Sequence, residues 1–179
     1  MEKHVSTSEL EKKARQLLEE RGVKIEDIAE LVYYLQAGYH DELTMEECRF
    51  NVNRVLAKRE VQNAVITGIQ LDILAEKKLL EEPLLETIVT DESLYGVDEV
   101  IALSIVNVYG SIGLTNYGYI DKQKPGILKQ LNDKSSGRVN TFLDDIVGAI
   151  AAAASSRLAH SHADADDLDN NGKPKSEKG

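Results

Sequence analysis

The chain has 179 residues, of which 42% are hydrophobic and 29% charged, with a formal net charge of −10. That length suits one domain with a real core, and the acidic balance argues against a nucleic-acid surface and against capture by anionic lipid through charge alone. A single cysteine, Cys48, excludes an internal disulfide and a cysteine-based zinc site. Tryptophan is absent and only two Phe occur, so the core must come from Leu, Ile, Val and Ala.

In chain order, Ser6 and Glu9 have capping-box spacing, which predicts a charged amphipathic helix ending near Gly22. Ile25, Ile28, Leu31, Val32 and Leu35 share one face of a second helix, stopped at Gly38. Thr44 and Glu47 repeat the capping box before a third helix. Val61, Val65, Ile69, Ile73 and Leu74 line a fourth, either separate from the third or continuous with it. Pro83 suits the first turn of a fifth helix. A sixth runs from Val97 to about Tyr109. Residues 110–124, rich in Gly, Asn and Tyr, read as a structured loop. Pro125 opens a short seventh helix, residues 134–138 form a turn, and an eighth helix runs from about Val139 to His160. Residues 161–179 read as a polar, disordered tail after a domain spanning 1–160.

The expected fold is therefore all-α: one bundle of about seven or eight helices around a central C-terminal helix. Residues 1–20 are polar and show no signal peptide. Residues 100–120 carry no charge, yet Ser104, Asn107, Ser111, Thr115, Asn116 and three Gly make them too polar for a membrane span. A cytoplasmic protein is the expectation.

The chemistry concentrates in acids set among apolar residues: Asp98-Glu99, Asp121 and Asp144-Asp145. Buried carboxylates are costly unless paired, hydrogen-bonded or bound to metal. On a helix Asp144 and Asp145 point about 100° apart, so one reaches into a site while the other flanks it. Plainer readings exist for each. Asp98 and Glu99 complement a helix dipole, Asp121 caps or turns before Pro125, and Asp144 pairs with Lys124 or Arg138. Together, all-oxygen ligands point to Mg²⁺, Mn²⁺ or Ca²⁺ rather than zinc. Lys122, Lys124, Lys129, Lys134 and Arg138 lie between the acidic segments, as phosphate binding beside such a metal requires.

At these residues the sequence resembles the phosphatidylglycerophosphatase A family. The matching motifs are Asp98-Glu99 at a helix start, Asp121-Lys122-Gln123-Lys124-Pro125, and Asp144-Asp145-Ile146-Val147, in the family's order. The likeness spans roughly residues 59–160. It implies an all-helical, bacterial, Mg²⁺-dependent phosphatase that converts phosphatidylglycerophosphate to phosphatidylglycerol. The chain lacks the strongly hydrophobic spans of membrane-bound members. It also lacks their Gly/Pro-rich N-terminal motif, whose place is taken by residues 63–72. It thus resembles a soluble branch.

The expected site has Glu99, Asp121, Asp144 and Asp145 holding one or two Mg²⁺ (or Mn²⁺ or another divalent ion), with Asp98 beside them. Asp121, Asp145 and Lys124 are the catalytic candidates, and Lys122, Lys124 and Arg138 the phosphate-binding ones. The expected partner is a phosphorylated substrate, a phospholipid presented at the inner face of the membrane in the fullest reading. A homo-oligomer is also compatible with the apolar helices. The alternatives are a soluble phosphomonoester, or a non-enzymatic helical metal-binding or interaction protein.

Other signals are weaker. Cys48 and Arg54 have the minimal spacing of cysteine phosphatases, but Glu46 and Glu47 disfavour a thiolate. Asp167-Leu168-Asp169-Asn170-Asn171-Gly172 resembles the opening of a calcium loop that Pro174 interrupts. His160 and His162 lack a third convergent ligand. No P-loop motif occurs.

Overall fold

A computed structural model describes residues 6–166. Among these residues there are nine α-helices and no strand. They are α1 (Thr7–Glu20), α2 (Ile25–Gln36), α3 (Met45–Leu56), α4 (Arg59–Glu76), α5 (Leu84–Thr90), α6 (Val97–Val106), α7 (Ser111–Gln123), α8 (Ile127–Leu131) and α9 (Leu143–Asp166). Short 3₁₀ turns occupy 107–109 and 134–136. The architecture is the expected all-α bundle around the C-terminal helix.

Both capping boxes form. Glu9 N–H donates to Ser6 Oγ at 3.2 Å while Ser6 N–H donates to Glu9 Oε2 at 2.9 Å. Thr44 and Glu47 repeat this at 3.2 and 2.9 Å. Each box satisfies donors that a helix start would otherwise leave free. Helices α3 and α4 are separate, because Lys58 is extended and the Gln62 amide donates to the Leu56 carbonyl at 2.9 Å, closing the end of α3.

Helix α9 is the axis. Residues 141–156 are all buried, and α2, α3, α4, α6, α7 and α8 pack against it. Its small residues, including Ala149 and Ala151–Ala154, let those neighbours approach closely. The approach of α4 is tightest: a Cβ added to Gly68 would overlap Ile146 Cδ1 and lie 3.0 Å from Phe142 Cβ.

Two expectations change. Residues 110–124 are not a loop, since 111–123 form α7. Its Gly and Asn content lowers intrinsic helix propensity, but burial of Gly113, Tyr117 and Ile120 on the face toward α9 overrides it. Gly113 is needed there, as an added Cβ would stand 2.8 Å from Val106 Cγ1.

The C-terminal helix also starts at Leu143, four residues later than expected, and continues to Asp166, past His160. Residues 139–142 are held out of the helix by tertiary bonds. Arg21 Nη2 donates to the Val139 carbonyl at 2.7 Å and to Asn140 Oδ1 at 2.8 Å. Val139 N–H donates to Glu76 at 2.8 Å, and Thr141 Oγ1 to the Ile88 carbonyl at 2.7 Å. The calcium-loop-like segment at 167–178 and the rest of the polar tail lie outside the described residues.

Candidate active site

Three chain segments converge at one end of the bundle. Gly96, in the left-handed region at φ 69°, turns the chain into α6 and puts Asp98 and Glu99 in its first turn. Asp98 is buried and accepts the Glu99 N–H at 3.0 Å. Helix α7 brings Asp121 on its last turn and ends at Lys124, also left-handed at φ 45°. Pro125 follows and lacks the N–H needed to continue the helix. Helix α9 brings Asp144 and Asp145 on its first turn.

The start of α9 is set from a distance. The Asp72 carboxylate, on α4, accepts Phe142 N–H at 3.1 and 3.2 Å and Leu143 N–H at 3.0 Å. It supplies the N-terminal cap that the preceding sequence does not. Burial pushes Asp72 up to about 8, against the lowering effect of those two N–H donors.

The Lys124 ammonium stands between the acids. Nζ lies 2.6 Å from Asp121 Oδ1, 2.8 Å from Asp144 Oδ2 and 3.8 Å from Asp145 Oδ1. Burial pulls this ammonium down, but Asp144 and Asp121 more than reverse the effect and leave it raised. One cation does not balance its surroundings. Burial, then Asp144, push Asp145 up to about 8. Burial raises Asp144 despite Lys124, and it raises Asp98 despite the Glu99 N–H. The Tyr117 hydroxyl is buried beside Asp145, and burial followed by Asp145 raises it.

Asp98, Asp121, Lys124, Asp144 and Asp145 border a cleft of about 220 Å³ that includes Asp91, Glu99 and Asn132 in its lining. A second cavity of about 210 Å³ adjoins it, sharing Asp91, Asn132 and Asp144. The second is lined by Lys134, Arg138 and the apolar Val89, Leu131 and Val139. Lys134 Nζ lies 3.4 Å from Asp91 Oδ2 at their junction.

The structure therefore brings Asp98, Glu99, Asp121, Lys124, Asp144 and Asp145 to one cleft. Arg138 lines the neighbouring cavity, and its Nη1 donates to the Arg21 carbonyl at 3.3 Å. Lys122 is exposed and lines neither. Asp91, Asn132, Tyr117 and Asp72 join the surroundings without having been singled out. Asp72 alone carried a signal, as an acid next to Ile69 and Ile73 on an apolar face.

Among the described residues, no three or more Asp, Glu, His or Cys side chains are grouped closely enough to hold a metal ion. The donor set nonetheless fits a hard divalent cation. Every donor is an oxygen, and the acids hold more negative charge than Lys124 offsets. It is the Lys124 ammonium that occupies the middle of the set.

The other sequence signals stay apart from this site. Cys48 is buried, and burial and Glu47 push its thiol up to about 11, the opposite of an activated nucleophile. His162 pairs with Glu47 at 3.5 Å and packs against His40, with ring centroids 4.4 Å apart.

Known proteins are similar to this chain in sequence and in fold. The chain is 69% identical to the uncharacterized protein YutG of Bacillus subtilis, over 89% of this chain and 96% of that one. A solved structure of a protein of unknown function from Bacillus stearothermophilus has 75% identity and a TM-score of 0.84, covering 84% of this chain and 94% of its own. That of the low temperature requirement C protein from Listeria monocytogenes has 67% identity and a TM-score of 0.87, covering 89% and 100%. The family model for phosphatidylglycerophosphatase A matches residues 18–160, which include the acids of α6, α7 and α9; the chain belongs to the phosphatidylglycerophosphatase A family.

Proposed function

We propose that this protein hydrolyses a phosphomonoester with the help of a divalent cation, and that the phosphate it removes sits on a phospholipid headgroup, as in phosphatidylglycerophosphate. Family membership supports the phosphatase class. The observation that carries the reading is the closing of α7 and α9 carboxylates on Lys124 (Nζ to Asp121 2.6 Å, to Asp144 2.8 Å), with Asp98 and Glu99 of α6 lining the same cleft.

Glu99, Asp121, Asp144 and Asp145 would hold Mg²⁺ or Mn²⁺, with Asp98 supporting them. The bound ion would polarise the phosphoryl group and lower the pKa of an attacking water. The chain's own groups do the rest. Asp145, pushed up to about 8 by burial and Asp144, keeps its proton at neutral pH without the ion and would release it on binding the ion. Lys124, once released from the carboxylates, offers its charge to phosphoryl oxygens. Arg138 and Lys134 line the cavity where the remainder of the substrate would lie. Lys122, outside both cavities, acts only through long-range charge. The enzyme would meet its lipid from the aqueous side, at the cytoplasmic face of the membrane.

A soluble phosphomonoester is the second reading. It is favoured because no helix among the described residues is long and apolar enough to cross a membrane. The deciding experiment measures phosphate release from phosphatidylglycerophosphate in mixed micelles and from soluble monoesters, with Mg²⁺ and with chelator. Metal-dependent release from the lipid supports the first reading, and release only from soluble esters supports the second. Tight metal binding without turnover on either would leave a non-enzymatic metal-binding protein. Full metal-dependent activity in both Asp121→Asn and Asp145→Asn would remove the site assignment.

A further inference from the structure

We infer that the second cavity is a subsite for a further phosphate group of the substrate, one that is bound but not removed, and that Arg138 with Lys134 selects for it. This rests on the reading of the first cleft as the place where a phosphomonoester is hydrolysed. It adds the class of alcohol from which that phosphate departs.

An unbalanced guanidinium marks the subsite. In a chain of net charge −10, Arg138 pairs with no carboxylate among the described residues. Its charge reaches Glu76, but that carboxylate is taken by Arg21 at 2.7 Å and by the Val139 N–H at 2.8 Å. The three acids that line the cavity with it are also engaged. Asp144 accepts from Lys124 at 2.8 Å, Asp91 faces Lys134 at 3.4 Å, and Asp133 accepts the Ser135 N–H at 2.9 Å. Arg138 makes one side-chain hydrogen bond among the described residues, from Nη1 to the Arg21 carbonyl at 3.3 Å, so most of its N–H fork stays open. Exposure alone would make this an ordinary surface arginine, but the chain that carries it is fixed. Arg21 Nη2 holds the Val139 carbonyl at 2.7 Å and Asn140 Oδ1 at 2.8 Å, and the Asn140 amide donates to the Leu131 carbonyl at 2.9 Å. A donor mounted on a wall held in this way loses less freedom when it binds.

Position separates this subsite from the chemistry. Arg138 and Lys134 line the cavity of about 210 Å³ and not the cleft of about 220 Å³ that holds Lys124 and the acids. The two spaces share Asp91, Asn132 and Asp144, so one ligand can occupy both at once. The phosphoryl group that is transferred belongs beside the acids. A group at Arg138 is then another part of the same molecule. A planar fork of N–H donors matches phosphate oxygens in pairs, and Lys134 at the junction adds a second positive charge. The apolar Val89, Leu131 and Val139 of the same cavity suit the carbon on the far side of a diester. The substrate class is therefore a phosphomonoester whose alcohol already carries a second phosphate, free or esterified.

Two pairs of substrates, assayed on the full chain with Mg²⁺, test this. Glycerol 3-phosphate and phosphatidic acid carry one phosphate; glycerol 1,3-bisphosphate and phosphatidylglycerophosphate carry two. Within a pair, the second phosphate should raise kcat/KM by about 10-fold or more, the effect of a charged hydrogen bond. A gain in both pairs supports a subsite for any second phosphate, and one confined to the lipid pair supports a subsite for the esterified group. Arg138→Met should remove most of the gain, through KM rather than kcat, because the bound phosphate does not change during the reaction. Lys134→Met should remove part of it. Lys129→Met, an exposed cation on α8 outside both cavities, should remove none. Should Arg138→Met fail to fold, Lys134→Met and the wild-type comparison carry the test. Calorimetric titration with glycerophosphoglycerol, a diester with no phosphate to release, needs no turnover. The wild type should bind it, and Arg138→Met about 10-fold more weakly. If none of the substrates is hydrolysed, the phosphatase reading fails while this titration still decides the subsite. Equal kcat/KM with and without the second phosphate, a gain that survives Arg138→Met, or glycerophosphoglycerol binding that does not depend on Arg138 would each overturn the inference.

Discussion

Lys124 holds its left-handed backbone, at φ 45°, with its ammonium against Asp121, Asp144 and Asp145. A non-glycine residue in that region costs about 1 kcal/mol or more, and such strain gathers at functional sites. Lys124→Met removes the cation and leaves the acids uncompensated. Without metal it should lower stability by a few kcal/mol, on the order seen when one partner of a buried pair is lost. Mg²⁺ should recover more of that loss than it adds to the wild type; equal Mg²⁺ increments in thermal melts would count against it. Asp121→Asn and Asp145→Asn should each reduce metal-dependent phosphate release by about 100-fold or more, measured as kcat/KM.

Asp72 and Asp145 both stand near 8 in the fold against an ordinary value of 3.8. The folded chain keeps protons that the unfolded chain has given up. The stability from this source is full below about pH 4 and is lost as pH rises through about 8. Asp72→Asn should flatten that slope by an amount on the order of a few kcal/mol, read from denaturation midpoints between pH 5 and 9. An unchanged slope would place the titration elsewhere. The acids of the site were legible in the sequence because they interrupt apolar helices. Asp91 and Asn132 were not, since an acid or amide in a polar loop looks the same whether or not the fold turns it toward a cleft.

At the scale of elements, legibility followed amphipathicity. Helices α1 to α4 announce themselves by capping boxes and by apolar faces of helical spacing. Helix α7 does not, because its inner face uses Gly113 where a larger residue would announce a core position. Helix α9 is buried on every side over 143–156, so its sequence has no polar stripe to set a period. Its true start could not be read locally, since Arg21, Glu76 and Asp72 fix it from helices far away in the chain. The contact of α4 with α9 should be intolerant of volume. Gly68→Ala should destabilise by about 1–3 kcal/mol in chemical denaturation. Gly38→Ala, where an added Cβ meets nothing within 4 Å, should stay within about 0.5 kcal/mol of wild type. Similar losses at the two sites would contradict the packing described.

For the whole molecule, the helical class was readable from composition and spacing, whereas the juxtaposition of Lys134 and Arg138 beside the acids emerges only when α5, α8 and α9 meet. Buried Arg21 links the end of α1 to Glu76 on α4 and to residues 139–140 ahead of α9. The site thus shares its framework with the N-terminal half of the chain. A cation that binds only the folded state stabilises it by mass action. Mg²⁺ should therefore raise the unfolding temperature of the intact protein, and that increment should vanish in Asp145→Asn. Cys48→Ser should leave activity unchanged; its abolition would reopen the thiol as a nucleophile.

The lysine lodged among the carboxylates makes entry of any ion an exchange rather than an addition. A monovalent ion that displaces the ammonium brings no new charge to the acids, so sodium or potassium gains nothing electrostatically by the trade. A divalent ion brings one charge more than it evicts. Selection of Mg²⁺ over the far more abundant monovalent ions would then come from the resident side chain as well as from ligand geometry. The evicted ammonium would also remain tethered nearby, free to meet an incoming anion.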